Sequence, residues 1–182
     1  MKVKILDKKE LGSGKFVRLE EVSYRDAFGV ERKWEKCARV NSRGAVIIIP
    51  HIVPDDEYIM VRQYRVPAEK YVIEFPAGLV DDGEAAEVTA LRELYEETGY
   101  EGRIMEVFPG GFSSPGMSGE MATIVKVEID GDFYRGKVVE NHQESSEDIE
   151  VIRVKKADFR KFVYERIEAG DGVDNKLFML ML

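Results

Sequence analysis

The sequence predicts an α/β protein, an α/β/α sandwich with a mixed β-sheet, preceded by a small antiparallel β appendage. Three observations support this prediction. Residues 1–41 contain strand patterns only, and strand and helix patterns alternate after them. The segment from Ala45 to Ile49 is continuously apolar, which is typical of a strand buried on both faces. At 182 residues the chain is long enough for one domain of ordinary size with a small extension.

The N-terminal strand patterns lie at 3–6, 16–24 and 32–40. A meander of this size has too little core to stand alone, so it needs a partner surface on the main domain or on a second subunit. A polar break at 41–44 marks the boundary. We therefore assign residues 1–41 to a β meander and residues 42–182 to the main domain.

The main domain is predicted to contain six strands and three helices. Alternating or continuous apolar patterns indicate the strands, and the 3.6-residue period indicates the helices. The predicted strands are 45–49, 58–63, 72–75, 103–108, 121–128 and 149–154, and the predicted helices are 82–98, 156–169 and 174–182.

The composition is typical of a globular protein with more acidic than basic side chains. The 35 acidic and 27 basic side chains give a net charge of -8 without a basic cluster, so we expect no nucleic-acid partner. No apolar run reaches the roughly 18 residues of a membrane span, and no signal-peptide pattern opens the chain, so we expect no membrane partner. The single cysteine, Cys37, cannot form an intrachain disulfide and favours the cytoplasm.

The helix predicted at 82–98 carries three carboxylates on one turn. Glu93 and Glu97 are four residues apart, and Glu96 lies beside them. Like charges at this spacing cost about 0.2 to 0.5 kcal/mol even on an exposed helix, and burial strengthens the repulsion. A divalent cation removes it, and clustered oxygen ligands suit Mg2+ or Mn2+. The pattern therefore predicts a metal site.

The ends and the other face of this helix are also predicted. Asp81 and Glu84 have the spacing of a capping box, and Gly99 is a typical residue to end a helix. Arg92, one turn before Glu96, is expected to orient that carboxylate. An apolar stripe is expected to pack on the sheet. The stripe consists of Val88, Leu91 and Tyr95.

The sequence around this helix resembles a known motif. Gly78 is followed after five residues by Glu84, and after seven more by Arg-Glu-Leu-Tyr-Glu-Glu-Thr-Gly at 92–99. This arrangement resembles the Nudix box, the signature of hydrolases that cleave nucleoside diphosphates linked to another group. Tyr100 stands where the box usually closes with an aliphatic residue, a change that involves none of the acidic residues. The resemblance implies the Nudix fold, which agrees with the predicted layers.

The resemblance also implies a metal centre. The bound metal, Mg2+ or in its place Mn2+, would polarise the diphosphate and activate the attacking water, with Glu96 and Arg92 in support. Its ligands would be the Ala77 carbonyl, Glu93, Glu97 and Glu147. Pro76 is expected to keep the Ala77 carbonyl out of strand pairing. Relatives carry the general base on a mobile loop, for which Glu120 is the first candidate and Glu144 the second.

Features outside the box address the substrate. Pro115 lies sixteen residues after Gly99, a spacing that resembles the ADP-ribose pyrophosphatase branch of the family. The GDP-mannose and other nucleotide-sugar hydrolases share the features of this branch. Asp174-Asn175-Lys176 resembles an Asp-x-Lys pattern of the sugar hydrolases, and Asp174 can hold Lys176 towards a phosphate or sugar hydroxyl. Arg65 and Glu74 are further candidates for substrate contact.

These patterns favour Mg2+-dependent hydrolysis of nucleoside diphosphate sugars to a nucleoside monophosphate and a sugar phosphate. The alternatives are an ADP-ribose pyrophosphatase and a Nudix-fold binding module without catalysis. The intact acidic cluster argues against the module, because a protein without metal chemistry has no reason to retain the repulsion. Relatives form dimers through such a β appendage, so we expect a homodimer in which Phe28 or Trp34 lines a shared site.

Overall fold

The N-terminal part folds as a three-stranded antiparallel sheet of its own, as predicted. In this computed structural model, which describes residues 2–40, 43–143, 145 and 147–182, its strands are β1 (Lys4–Ser13), β2 (Val17–Arg25) and β3 (Glu31–Arg39). The turn between β2 and β3 contains Gly29 at a φ of 86°, a conformation that glycine adopts without strain. The predicted domain boundary at 41–42 lies outside the described residues.

An eight-stranded mixed sheet forms the centre of the main domain. Its main path runs β11-β6-β5-β4-β9-β8, while β7 pairs with β4 and β10 pairs with β5. The β4–β9 and β6–β11 pairs are parallel and the others are antiparallel. The strands are β4 (Ala45–Val53), β5 (Glu57–Arg65), β6 (Lys70–Glu74), β7 (Ala77–Leu79), β8 (Arg103–Phe112), β9 (Met121–Asp130), β10 (Ile149–Lys155) and β11 (Gly172–Val173).

Helices cover both faces of this sheet. Successive residues of β4 point to opposite faces, so Val46 and Ile48 belong to one core and Ile47 to the other. The first core is closed by α1 (Ala86–Thr98), and the second by α3 (Phe159–Glu168) and α4 (Asn175–Met179). A one-turn helix, α2 (Gly131–Tyr134), follows β9. The predicted α/β/α sandwich is therefore confirmed, and in the described part of the chain no helix is both long and apolar enough to cross a bilayer.

The predicted start of α1 is wrong. The helix begins at Ala86, and its N-cap residue Ala85 makes no side-chain capping bond. Gly83 has a φ of 84° in the preceding turn, which keeps the chain out of the helical region there. The Asp81–Glu84 capping box is not formed, because the Glu84 carboxylate accepts bonds from Thr89 and Arg92 instead. The predicted end at Gly99 is confirmed, since its φ of 75° closes the helix with a bond to the Tyr95 carbonyl.

The predicted apolar stripe of α1 is also wrong. Val88 is 56% exposed and Tyr95 is 39% exposed, while Ala90 and Leu94 pack in the core. Thr89 and Thr98 are buried beside them. The sheet-facing side of α1 is thus made of small and hydroxylated residues around one leucine, so apolar residues alone did not identify it.

Candidate active site

Strand β7 lies directly against the acidic side of α1. A Cβ atom built on Gly78 would overlap the carboxyl group of Glu93. Glycine therefore lets this backbone lie against the Glu93 side chain, which any larger residue would displace. The β7 strand and the helix thus hold the residues of the predicted metal site next to each other.

Arg92 is the centre of an ion-pair network on this side of α1. Its guanidinium donates to Glu93 and Glu96, each at 2.9 Å, and to Glu84 at 3.1 Å. These carboxylates, Glu84 first, raise the pKa of Arg92, and Arg92 in turn lowers the pKa of Glu84. The expected pairing of Arg92 with Glu96 is present. Arg92 also bonds to Glu93 and Glu84, so one guanidinium fixes the positions of three carboxylates.

Glu97 is the one buried carboxylate of the described residues, with 3% of its surface exposed. Burial raises its pKa to about 8, and the negative charges of Glu93 and Glu147 act in the same direction. The backbone N–H of Ala77 donates to its Oε2 at 3.1 Å and opposes this shift. The side chain is therefore a fixed, poorly solvated carboxylate whose charged form needs a nearby cation.

Glu93 and Glu147 complete the acidic cluster. Burial raises the pKa of Glu93, Arg92 opposes that shift, and Glu147 adds to it by repulsion. Glu147 comes from the loop before β10 and lies within electrostatic reach of both Glu93 and Glu97. Residues from two distant parts of the chain thus meet at one side of α1.

The oxygen donors of this cluster are the type that Mg2+ and Mn2+ prefer, so its chemistry fits a divalent cation. In the part of the chain that the structure describes, however, no three His, Cys, Asp or Glu side chains are arranged to hold one ion. Glu93 is directed to Arg92 at 2.9 Å. Metal binding therefore requires a side-chain rearrangement, and the ligand roles of Glu93, Glu97 and Glu147 stay predictions.

Ala77 belongs to β7 and lies opposite Ile47 of β4. The neighbouring pair is hydrogen-bonded, since the Ile48 N–H donates to the Pro76 carbonyl at 2.8 Å, and such pairs alternate with non-hydrogen-bonded pairs in an antiparallel ladder. Ala77 therefore occupies a non-hydrogen-bonded position, its N–H donates to Glu97 instead, and its carbonyl stays out of the pairing with β4, as predicted. The role of the Ala77 carbonyl as a metal ligand stays a prediction.

Four candidate substrate residues form a connected group of charges near the end of β6. Arg65 donates to Glu74 at 2.6 Å, and the Lys176 ammonium donates to Asp174 at 2.6 Å. Burial raises the pKa of Glu74, which Arg65 opposes, and both Asp174 and Lys176 lie close enough to act on it. Asp174 caps α4 through the backbone N–H of Lys176, as the Asp-x-Lys spacing allows.

This charged group is linked to the acidic cluster and to a cavity. Arg65 is near enough to Glu97 to lower its pKa. On the other side, Lys176 and Asn175 line a cavity of about 250 Å³ whose walls include Ile47, Phe112 and Ile124. In space, the acidic cluster is thus followed by the cations of Arg65 and Lys176 and then by the apolar-walled cavity.

The remaining candidates lie with the N-terminal sheet. Glu120 forms an ion pair with Arg39 of β3, so among the described contacts its carboxylate is engaged there and not on α1. Trp34 donates through Nε1 to the Gly116 carbonyl at 3.1 Å, next to the exposed Pro115. Phe28 is 87% exposed in the β2–β3 turn. The alternative base, Glu144, lies outside the described residues.

Three contacts were missed from the sequence. They are the bond from Arg92 to Glu84, the ion pair of Arg39 with Glu120, and the stacking of His142 on Tyr95 with ring centroids 4.5 Å apart. Glu84 belongs to the box and lies eight residues before Arg92, so its membership of the motif was a usable signal. The other two join segments far apart in the chain, for which the sequence contained no local signal.

Comparisons with known proteins agree with these features. Residues 41–169 match the family model of the NUDIX domain. The chain is 40% identical over 129 residues to the ADP-sugar pyrophosphatase of Mus musculus, covering 67% of this chain and 59% of that protein. It is 35% identical over 168 residues to the ADP-ribose pyrophosphatase of Saccharomyces cerevisiae, covering 88% and 71%. The alignment to the mouse protein thus spans less than two thirds of that relative.

Two further similarities extend over most of both chains. The ADP-ribose pyrophosphatase of Bacillus subtilis is 34% identical over 167 residues, covering 90% of this chain and 84% of that protein. A crystal structure of an ADP compounds hydrolase superposes with a TM-score of 0.73 and 26% identity, covering 90% of this chain and 84% of that one. Both include the N-terminal sheet or a large part of it, because the shared length exceeds that of the main domain.

Proposed function

The chain belongs to the Nudix family, and on that premise we propose that it hydrolyses the diphosphate bond of a nucleoside diphosphate linked to a sugar. The products are a nucleoside monophosphate and a sugar phosphate. The observation that carries the proposal is the meeting of Glu93, Glu97 and Glu147 on one side of α1, with the cation of Arg65 beside them. Such a site can bind and cleave a diphosphate, since it combines ligands for a metal with a charge for the phosphate.

The names of the relatives support an adenine nucleotide as substrate. Those cited above are named for ADP-sugars, ADP-ribose or ADP compounds, and they match this chain at 26% to 40% identity. We therefore propose ADP-sugars as the substrate class, with ADP-ribose as the alternative. GDP-mannose, considered from the sequence, has less support.

Members of the family generally use divalent metal cations, and we propose Mg2+ with Mn2+ as a substitute. Glu93, Glu97, Glu147 and the Ala77 carbonyl would hold it. The cation would polarise the diphosphate and activate water for attack. The burial of Glu97 supports this assignment, because its charged form is costly without a cation nearby.

The other side chains serve positioning and proton transfer. Arg92 can release Glu93 and still keep Glu84 and Glu96, because it bonds each of them separately. Arg65 and Lys176 can bind phosphate oxygens or a sugar hydroxyl, each held in place by a carboxylate. Glu120 stays the first candidate for the general base, and it acts only if its pair with Arg39 opens. Glu144 stays the second.

A panel of substrates tests this proposal. The protein would be incubated with ADP-glucose, ADP-ribose and GDP-mannose in Mg2+, and the release of AMP or GMP followed by chromatography. We expect AMP from the ADP compounds, and its loss in excess EDTA or in the Glu97→Gln variant. Absence of mononucleotide from every substrate would contradict the hydrolase, and an undiminished rate in EDTA would contradict the metal mechanism.

We also propose that residues 1–41 and 42–182 act as separate units and that the first serves homodimer formation. Support comes from β1, all of whose residues are exposed, including Ile5 and Leu11. An exposed edge strand that carries apolar side chains is a surface that a second subunit can cover. Trp34 and Phe28 would lie near that interface.

A further inference from the structure

The segment before β10 lies across the C-terminal end of α1. The imidazole of His142 stacks on the ring of Tyr95, with centroids 4.5 Å apart and planes inclined by 21°. The backbone N–H of His142 donates to the carbonyl of Glu96 at 2.7 Å. That carbonyl is one of the helix-terminal acceptors without a partner inside the helix, so the segment both stacks on α1 and caps it.

Gly99 permits this close approach. A Cβ atom at this position would overlap the carbonyl of Glu140, and the φ of 75° independently favours glycine. The two backbones therefore touch where α1 ends. The position of residues 140–142 relative to the helix is fixed by packing as well as by the hydrogen bond.

Two further hydrogen bonds hold the other end of the loop, at the start of β10. The amide of Asn141 donates to the carbonyl of Ile149 at 3.2 Å, and the Ile149 N–H donates to the side-chain oxygen of Gln143 at 2.7 Å. Ile149 is the first residue of β10, which pairs with β5 in the central sheet. Glu147 thus lies on a short loop with one end held on α1 and the other on the sheet.

We propose that the stack of His142 on Tyr95 is the clamp that sets Glu147 against Glu93 and Glu97, which makes His142 and Tyr95 positioning residues for the metal site. The inference rests on the proposed function, since it assigns Glu147 to that site. Glu93 and Glu97 are fixed by their places in the helix, whereas Glu147 reaches them only through this loop. Leu94 fills the core beside Tyr95, so the half-exposed ring of Tyr95 is not needed for core packing and can stack on His142.

The expected size of the effect follows from the stack itself. An aromatic pair in this geometry contributes roughly 0.5 to 1.5 kcal/mol, which corresponds to about two- to tenfold in an equilibrium constant. Loss of the stack should therefore weaken Mn2+ binding by about two- to tenfold and raise amide hydrogen exchange in 142–149. The hydrogen bond from the His142 backbone remains in every side-chain variant, so the loop is loosened and not released.

The experiment compares His142→Ala, Tyr95→Ala, the double variant and His142→Phe in the whole chain. Mn2+ binding is measured by electron paramagnetic resonance, loop protection by hydrogen exchange, and AMP release separately. We expect both single variants to show the same loss, the double variant to show no further loss, and His142→Phe to recover the wild-type values, because phenylalanine keeps the stack. Tyr164→Ala, a half-exposed tyrosine on α3, is the control and should change nothing.

Several outcomes overturn the inference. They are unchanged Mn2+ affinity and exchange in His142→Ala, a His142→Phe variant as weak as His142→Ala, or additive losses in the double variant. A fall in AMP release without a change in exchange would also overturn it, because His142 would then act chemically. Failure of the proposed function is recognised separately, since wild-type protein would bind Mn2+ without releasing AMP. Thermal unfolding of each variant verifies that it is folded.

Discussion

The burial of Glu97 links the stability of the protein to pH. Its pKa in the folded protein, about 8, lies above the ordinary value of 4.5. A carboxyl group with a raised folded pKa contributes stability below its unfolded pKa and loses that contribution as pH rises through the folded pKa. In EDTA, the free energy of unfolding should therefore decrease between about pH 5 and pH 8 because of this residue.

Glu97→Gln tests this linkage. Glutamine is neutral throughout, so the variant should lose less stability than wild type between pH 6 and pH 9, as measured by urea unfolding in EDTA. Its turnover in Mg2+ should fall by orders of magnitude if Glu97 is a metal ligand as proposed, since the substitution removes the charge of that ligand. The matched control is Glu87→Gln, an exposed acid of the same helix. Equal pH slopes for Glu97→Gln and wild type would contradict the assignment.

We propose that Lys176 discriminates between the two substrate classes, and a substitution tests this. Lys176→Met keeps the apolar stem and removes a charge-assisted hydrogen bond worth roughly 1.5 to 3 kcal/mol. At about 1.4 kcal/mol per tenfold, kcat/KM for ADP-sugars should fall roughly ten- to a hundredfold, and that for ADP-ribose should fall less. Steady-state rates on both substrates measure this.

Two results would change the interpretation of Lys176. Equal losses on both substrates would mean that the ammonium serves only the shared diphosphate. Unchanged rates would mean that its pair with Asp174 is purely structural. Lys161→Met, an exposed lysine on α3, provides the control for loss of one positive charge.

At the scale of the elements, the close contact between β7 and α1 determines where Glu93 points. Gly78→Ala should push the Glu93 carboxyl away from Arg92, because the new methyl group would occupy its space. The displaced group is the end of a flexible side chain, so the stability cost should stay within about 1 to 2 kcal/mol. Mg2+-dependent turnover should fall at least tenfold.

The control for this prediction is Gly12→Ala in β1, where a Cβ atom has no neighbour within 4 Å. Turnover and thermal unfolding of both variants would be measured together. Wild-type turnover in Gly78→Ala would show that the contact has no role in the site. A complete loss of folding would show that the backbone itself cannot adjust.

The elements also show what the sequence could and could not predict. The neighbourhood of Glu93 and Glu97 follows from helix geometry over four residues, and a continuously apolar β4 follows from burial on both faces. The start of α1 did not follow, because Asp-Asp-Gly-Glu is compatible with both a helix cap and a turn. The turn forms here with Gly83 at positive φ.

Long-range contacts account for the other differences. The sequence singles out Glu147 because it leads into the strand at 149–154 and because of the family resemblance. That it lies near Glu93 and Glu97 could not be predicted from the loop itself, since nothing within the loop specifies which helix it approaches. The pairing of His142 with Tyr95 depends on how that loop lies across α1. Tyr95 was assigned to the core because it is large and apolar, whereas the small residues Ala90 and Thr89 occupy that position. A local pattern shows the apolar period of a helix or strand, but it does not show which other elements pack against it.

At the scale of the whole molecule, the N-terminal sheet exposes its edge strand β1, which carries the apolar side chains of Ile5, Leu6 and Leu11. If this strand forms a dimer interface, the mass by light scattering at micromolar concentration should be twice that of the 20.8 kDa chain. Ile5→Asp in β1 should shift the protein towards monomer, because a buried unpaired charge is costly. Val138→Asp, which changes another exposed aliphatic residue but on the main domain, should leave the mass unchanged. A monomeric wild-type mass would contradict the proposal.

The N-terminal sheet and α4 also affect which shortened versions of the chain can fold. The matched domain ends at residue 169 and begins at residue 41. A chain cut at those limits would lose Leu177, which is fully buried, and the β3 partners of the 116–120 loop. We therefore expect the smallest fragment that folds by itself to be longer than the region by which the family is recognised, and we expect shortened versions to lose core packing before they report on catalysis.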